Sequence, residues 1–199
     1  MVLVGKPAPD FTAKAVVGHD FVDYNLSSNW TSKKPKYTLL FFYPLDFTFV
    51  CPTEIIAFSD RIAEFQERNV QVIGVSIDSE YTHLAWKSTA RKEGGLGEIH
   101  YPLIADVKKE IMSAYDCAAS DGTAFRGLYL IDQKGIVRHA LVNDHPLGRS
   151  ISEALRTIDA LQHHEKHGEV CPADWHSGQL AMVADPVKSK KYFVAKNKK

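Results

Sequence analysis

The sequence predicts an α/β fold, a central mixed sheet flanked by helices and followed by a C-terminal arm. Three observations carry this. Short apolar runs bounded by breakers recur at residues 37–43, 70–76 and 125–131, which is how buried strands read. Between them lie segments whose apolar residues fall three or four apart, the spacing of a helix with one buried face. Asp132-Gln-Lys-Gly135 then separates the third run from an alternating one, so a turn and a hairpin partner follow. Strands that alternate with helices assemble as crossover units into one sheet.

Residues 1–36 are mixed. Pro7-Ala-Pro-Asp-Phe11 is extended, because proline biases the residue before it away from the helical region. Residues 11–17 read as a short strand and 25–35 as polar loop. The strand 37–43 stops at Pro44. Pro52 sits where a first-turn proline is tolerated, and Ile55, Phe58, Ile62 and Phe65 give one continuous helical face that ends at Asn69. After the strand 70–76, a helix from Asp78 to Lys92 is broken by Gly94-Gly-Leu-Gly97. Residues 103–105 suit a short strand and 108–115 a helix. Beyond the hairpin, Ser150 with Glu153 three residues on opens a long helix. Ile151, Leu155, Ile158 and Leu161 stripe it, and Gly168 closes it. The domain expected is 1–168, with 169–199 a loop-rich arm too short to fold alone. This element order matches a thioredoxin-like layout with additions.

Composition narrows the function. The chain has 199 residues, and Lys+Arg and Asp+Glu both number 24, so no global charge favours nucleic acid. No apolar run approaches the roughly 20 residues that span a bilayer, and the first residues lack the pattern of a secretory signal. Three cysteines do not make a disulfide scaffold, so the compartment expected is reducing, the cytoplasm.

The chemistry concentrates at Cys51. It falls where a loop enters a helix, and the unpaired N–H groups and dipole there favour an anion. A cysteine so placed ionises more readily than a free one, although buried cysteines are often inert. Thr48, three residues earlier, can hydrogen-bond whatever the sulfur attacks. Pro44, Phe47 and Phe49 are placed to wall the site from water. Position 54 is Glu rather than Cys, so no local Cys-x-x-Cys disulfide can form.

Pro44-Leu-Asp-Phe-Thr48-Phe-Val-Cys51 resembles the Pro-x-x-x-Thr-x-x-Cys signature of the peroxiredoxins, and the resemblance runs over nearly the whole chain. It is similar above all to the typical two-cysteine group that includes thioredoxin peroxidase and the peroxidase component of bacterial alkyl hydroperoxide reductase. The resemblance implies that Cys51 is the peroxidatic cysteine, that Thr48 orients the peroxide and that Pro44 shields the sulfur. It matches Arg126, in Phe125-Arg-Gly127, to the active-site arginine. Glu54 is read as a partner that positions an arginine, and Arg149 as the second arginine of that network. Cys171, in Glu169-Val-Cys171-Pro, matches the resolving cysteine, which implies a disulfide between subunits of a head-to-tail homodimer and a ring of five dimers, a decamer. Tyr81-Thr-His83 and Phe47 lie in segments resembling the interface of that ring. Gly94-Gly-Leu-Gly97 and Tyr192-Phe193 resemble elements of members that excess peroxide inactivates. Cys117 matches nothing.

The function expected is therefore a peroxidase acting on hydrogen peroxide and small organic hydroperoxides, with no cofactor and no metal. Reducing power comes from outside, from thioredoxin or a dedicated disulfide reductase, since Gly94-Gly-Leu-Gly97 lacks the spacing of a dinucleotide site. Alternatives are an oligomeric holdase chaperone, a peroxide-signalling relay or a general thiol–disulfide oxidoreductase. His163, His164 and His167 read as dipole-complementing residues in a final helical turn rather than metal ligands. The lysines that close the chain read as a solvated tail, with no nucleic acid and no membrane as partner.

Overall fold

The computed structural model describes residues 2–197. Residues up to Ile151 form one compact unit and those from Ser152 a second. The first is built on a seven-stranded mixed sheet ordered β2-β1-β5-β4-β3-β6-β7. Its strands are β1 (Thr12–Val17), β2 (Asp20–Asn25), β3 (Tyr37–Phe42), β4 (Val70–Ser76), β5 (Leu103–Ala105), β6 (Arg126–Ile131) and β7 (Val137–Asn143). β3, β4 and β5 are parallel neighbours, and the other pairings are antiparallel. The helices of this unit are α1 (Ser28–Thr31), α2 (Val50–Asp60), α3 (Ile62–Glu67), α4 (Glu80–Ser88) and α5 (Glu110–Ala114).

β3 lies inside the sheet between β4 and β6, and all six of its residues are buried. Successive side chains on a strand point to opposite faces, and both faces of β3 are covered. Leu40 and Phe42 join Ile73, Val75, Tyr115 and Tyr129 in one core layer. Phe41 points the other way and stacks on Phe58 of α2 at 4.7 Å between ring centroids. Phe58 in turn meets Phe65 of α3 at 5.8 Å. Each such buried side chain contributes about 1.5–3 kcal/mol, so the strand that leads to Cys51 is rigidly held. Gly74 on β4 leaves room for this layer. A Cβ there would lie 2.9 Å from Leu103 and 3.0 Å from Phe41.

Several boundaries differ from the sequence reading. β2 lies in the stretch read as mixed. It forms a hairpin with β1 through Gly18 and His19, with Val17 opposite Asp20 and Gly18 at φ +60°. The continuous helix read from Ile55 to Phe65 is two helices, because Arg61 leaves the helical region at φ −106°, ψ 18°. Earlier in α2 the Ile55 carbonyl accepts from the Tyr101 hydroxyl at 2.7 Å. α4 starts where Ser79 caps it, accepting from the Thr82 N–H at 3.3 Å. It ends at Ser88 rather than Lys92, because Thr89 is extended. Gly95 then passes so close to Thr89 that a Cβ would lie 2.0 Å from its carbonyl oxygen. α5 starts two residues later than read, since Lys109 adopts φ +62° and Asp106 accepts from the Ile111 and Met112 N–H groups.

The second unit contains all but the first residue of α6 (Ile151–His167), and α7 (Lys190–Lys196). Gly168 closes α6 at φ +68°. Val170 pairs with Met182 in an isolated bridge. α7 arises in the tail read as loop and carries Tyr192 and Phe193. Lys198 and Lys199 of that tail lie outside the described residues. Among the described residues no helix is long and apolar enough to cross a membrane.

Candidate active site

β3 delivers the chain to a loop, 43–49, whose position is fixed from below. The Tyr43 hydroxyl donates to Asp46 Oδ1 at 2.9 Å, and the other Asp46 oxygen meets His83 Nδ1 at 2.7 Å. His83 Nε2 faces the Ile104 carbonyl at 3.1 Å, and a carbonyl only accepts, so Nε2 carries a proton. The Asp46 N–H donates to Asp78 Oδ2 at 2.8 Å. Burial works against a charged His83, but Asp46 and the Ile104 carbonyl outweigh it and raise its pKa above 6.5. A raised folded value means stabilisation that is complete below the free histidine range and is lost as pH rises through the raised value. His83→Gln is therefore expected to cost about 1–3 kcal/mol at pH 6, with the gap to wild type narrowing by pH 9. Urea denaturation at the two pH values measures it, and an equal gap at both contradicts it.

Cys51 is the second residue of α2 and only 1% exposed. Arg126, the first residue of β6, points its Nη1 at the Cys51 sulfur at 3.5 Å and donates from the same nitrogen to Glu54 Oε2 at 2.8 Å. Its Nε donates to the His145 carbonyl at 2.6 Å. Glu54, one turn after Cys51, also receives the Arg149 N–H and Nε on Oε1 at 2.8 Å each and Nη2 on Oε2 at 2.9 Å. Four donors thus occupy the roughly four lone-pair sites of one carboxylate. Arg149 Nη1 donates to the Phe42 and Gly127 carbonyls at 2.9 and 2.6 Å, and its guanidinium lies 5.1 Å from the Phe41 ring centroid. Arg149 is wholly engaged in bracing, and Arg126 alone of the two reaches the sulfur. Burial pushes the Glu54 carboxyl up, but Arg149 and then Arg126 outweigh it and hold the carboxyl below its usual range. One carboxylate faces two guanidiniums, so the cluster carries a surplus positive charge directed at Cys51.

The sulfur opens on a cavity of about 380 Å³ lined by Pro44, Leu45, Thr48, Phe49, Arg126 and His145, among others. The Thr48 hydroxyl donates to the Leu45 carbonyl at 2.8 Å. Its proton is thereby committed, and toward the cavity its oxygen is left to accept. Phe49 lines the cavity but is 91% exposed. Phe47 does not wall the site as the sequence suggested. It takes φ +53° and packs on Trp86 at 5.7 Å instead.

Residues 4–140 match the AhpC/TSA family, well over half of the chain. The chain belongs to that family, the peroxiredoxins. Residues 160–194 match the C-terminal domain of 1-Cys peroxiredoxin. Peroxiredoxin-2 of Bos taurus is 54% identical over 195 residues, covering 98% of this chain and 96% of that one. The reduced 2-Cys peroxiredoxin of Plasmodium vivax superposes with a TM-score of 0.88 at 50% identity, over 92% of this chain and 93% of that one. Plasmodium yoelii Prx1a modified at its N-terminus, 52% identical with a TM-score of 0.76 over 86% of this chain and 98% of that one, forms an artifactual octamer. This peroxiredoxin is thus a thiol-dependent peroxidase with a thioredoxin-like fold.

The fold brings Pro44, Thr48, Cys51, Glu54, Arg126 and Arg149 together in the first unit. Cys171 lies in the second, half-buried, its thiol donating to the Ala160 carbonyl at 3.5 Å. Cys117 is buried, and burial pushes its thiol up to about 12, so it stays protonated and inert. The sequence reading missed Asp121, Thr123 and His145, which line the far side of the cavity. His145 acts on Arg126 through a backbone carbonyl, which has no residue-type signature. The Thr123 hydroxyl donates to Asp121 at 2.7 Å and faces His145 Nε2 at 3.3 Å.

Proposed function

We propose that Cys51 is the nucleophile that reduces hydrogen peroxide and small organic hydroperoxides. The observation that carries this is Arg126 bridging Glu54 to the buried Cys51 sulfur. A thiolate is the anion that complements the surplus positive charge there. A peroxide O–H can donate to Thr48, whose own proton is committed, while the Arg126 guanidinium donates to the oxygen on which charge develops. The sulfur attacks one oxygen, the S–O bond forms and the O–O bond breaks. The products are a Cys51 sulfenic acid and an alkoxide or hydroxide that takes a proton to leave as alcohol or water. Pro44 keeps bulk water from the sulfur. Glu54 and Arg149 do not touch the reacting atoms and act by holding Arg126.

Cys171, on the arm 169–199, then attacks the sulfenic sulfur and releases water, leaving a disulfide. In this reading the arm belongs to the partner of a head-to-tail homodimer that assembles further to a decamer. The oligomeric Plasmodium relative supports assembly, and the apolar Phe47 and Tyr81, 52% and 68% exposed, offer surface for it. Thioredoxin or a dedicated disulfide reductase supplies the two electrons that reopen the disulfide, in the cytoplasm. The test is a single equivalent of peroxide given to Cys171→Ser with a sulfenic-acid-specific cyclic diketone present. Mass spectrometry should place one adduct on Cys51, and a protein oxidised elsewhere with Cys51 unlabelled refutes the assignment.

A further inference from the structure

The histidines at the end of α6, which the peroxidase chemistry does not use, are in contact with the segment that carries Cys171. His163 Nε2 meets Glu169 Oε2 at 2.9 Å. Its ring lies 4.7 Å from the Trp175 ring and 4.6 Å from that of His167. His164 Nδ1 meets the Glu169 carbonyl at 2.8 Å. Two turns earlier on α6, Arg156 Nη1 donates to the Trp175 carbonyl at 3.2 Å. Between these grips the Cys171 thiol donates to the Ala160 carbonyl at 3.5 Å. Trp175 is only 2% exposed, and its indole N–H donates to the Gln179 carbonyl at 3.1 Å. Residues 169–175 are therefore strapped along one helix at both ends, with Cys171 in the middle. Among the described residues no group of three or more His, Cys, Asp and Glu side chains is arranged to hold a metal.

A thiol that donates to a carbonyl is protonated, and a protonated thiol is a poor nucleophile. Burial raises Cys171 further, Arg156 lowers it and Glu169 raises it. Docked Cys171 is thus a stored thiol. It must leave α6 before it can attack another sulfur.

We propose that the contacts of His163 with Glu169 and Trp175 form a clasp that holds Cys171 docked, making His163 a positioning residue that sets how fast Cys171 is released. The functional consequence rests on the reading of Cys171 as the resolving thiol. The clasp is charge-sensitive. A protonated His163 makes a stronger, charge-assisted bond to Glu169 and a cation–π contact with Trp175, while His167 opposes it when both rings are charged. Arg156, which pairs with Glu153 at 2.6 Å, is a fixed charge at the far end. A firmer clasp leaves the Cys51 sulfenic acid waiting longer, exposed to a second peroxide.

Release is measured by alkylation of Cys171 with a neutral maleimide in Cys51→Ser protein, alone and with His163→Phe or Glu169→Gln. His163→Phe keeps a ring against Trp175 and removes the pair. The two variants separate unclasping from simple electrostatics. Removing a cation near Cys171 disfavours its thiolate and slows alkylation, whereas removing an anion speeds it. Loss of the clasp speeds both. Both variants are expected to react about fivefold faster, the upper range for a half-exposed pair. In protein retaining all its cysteines, the Cys51–Cys171 disulfide should form faster in the same order after one equivalent of peroxide. Acceleration in neither variant, or in Glu169→Gln alone, overturns the clasp. Faster alkylation with an unchanged disulfide rate overturns its control of resolution. Faster alkylation with no Cys171 disulfide even in wild type leaves the clasp standing and removes the resolving role.

Discussion

Cys51→Ser is expected to lose peroxide consumption with dithiothreitol by roughly a thousandfold or more, the scale on which removing a catalytic nucleophile acts. Cys171→Ser should keep turning over with that reductant. Serine is a poor nucleophile unless an adjacent base takes its proton, and among the described residues the side chain that meets the Cys51 sulfur is Arg126, not a base. The buried carboxylate beside it, Glu54, has its oxygens filled by four donors. The neighbour aimed at the sulfur, Arg126, is a donor only. The site can serve a nucleophile that is already an anion but cannot create one from a hydroxyl. Cys171→Ser leaves that machinery intact. A small thiol can then meet the sulfenic acid directly, whereas a protein reductant that requires a disulfide finds none. Non-reducing electrophoresis adds a second readout, since the disulfide-linked dimer expected of oxidised wild type should vanish in either variant. Turnover retained by Cys51→Ser would move the nucleophile elsewhere.

The strand before Cys51 was legible in the sequence because all of β3 is buried, and burial on both faces writes an unbroken apolar run. Glu54, Arg126 and Arg149 were legible only through resemblance, because they lie far apart in the chain and the sheet alone brings them together. β3 and β6 are antiparallel neighbours, with Phe41 opposite Leu128, which sets Arg126 beside the loop after β3. Periodicity cannot report that. It also overstated the helix after Cys51, where the apolar stripe runs on through a break at Arg61 made by backbone conformation. The Phe47 error has a different cause. An aromatic beside a nucleophile invites reading as a wall, yet its backbone at φ +53° turns it toward Trp86. His163 was visible as a residue, but its role depends on a segment that folds back after Gly168.

Glu54→Ala is expected to destabilise the protein by about 3–5 kcal/mol, because it leaves two buried guanidiniums without their counter-charge. The Arg126 and Arg149 side chains are 4% and 0% exposed, so water cannot replace the carboxylate. Glu54→Gln keeps the volume but turns an amide N–H₂ toward groups that only donate, and should cost nearly as much. The pH dependence gives the sign. The Glu54 carboxyl is held below its usual range despite burial, so its stabilisation is present above the unfolded carboxyl pKa and is lost as pH falls through the depressed folded value. The difference between wild type and Glu54→Gln, from urea denaturation, should therefore be full at pH 7 and shrink as pH is lowered from 5 toward 3. A difference that grows on acidification would mean that the carboxylate is not what the arginines need. Arg149→Met supplies the complementary test. Alone it breaks the brace and leaves Glu54 with one guanidinium, that of Arg126, beside the backbone N–H of residue 149, but with Glu54→Gln it also removes one of the two uncompensated charges. The double variant should then be less damaged than the two single losses added together. Strict additivity would show that the arginines and Glu54 do not act as one buried unit, and Arg126 would owe its aim at Cys51 to the His145 carbonyl alone.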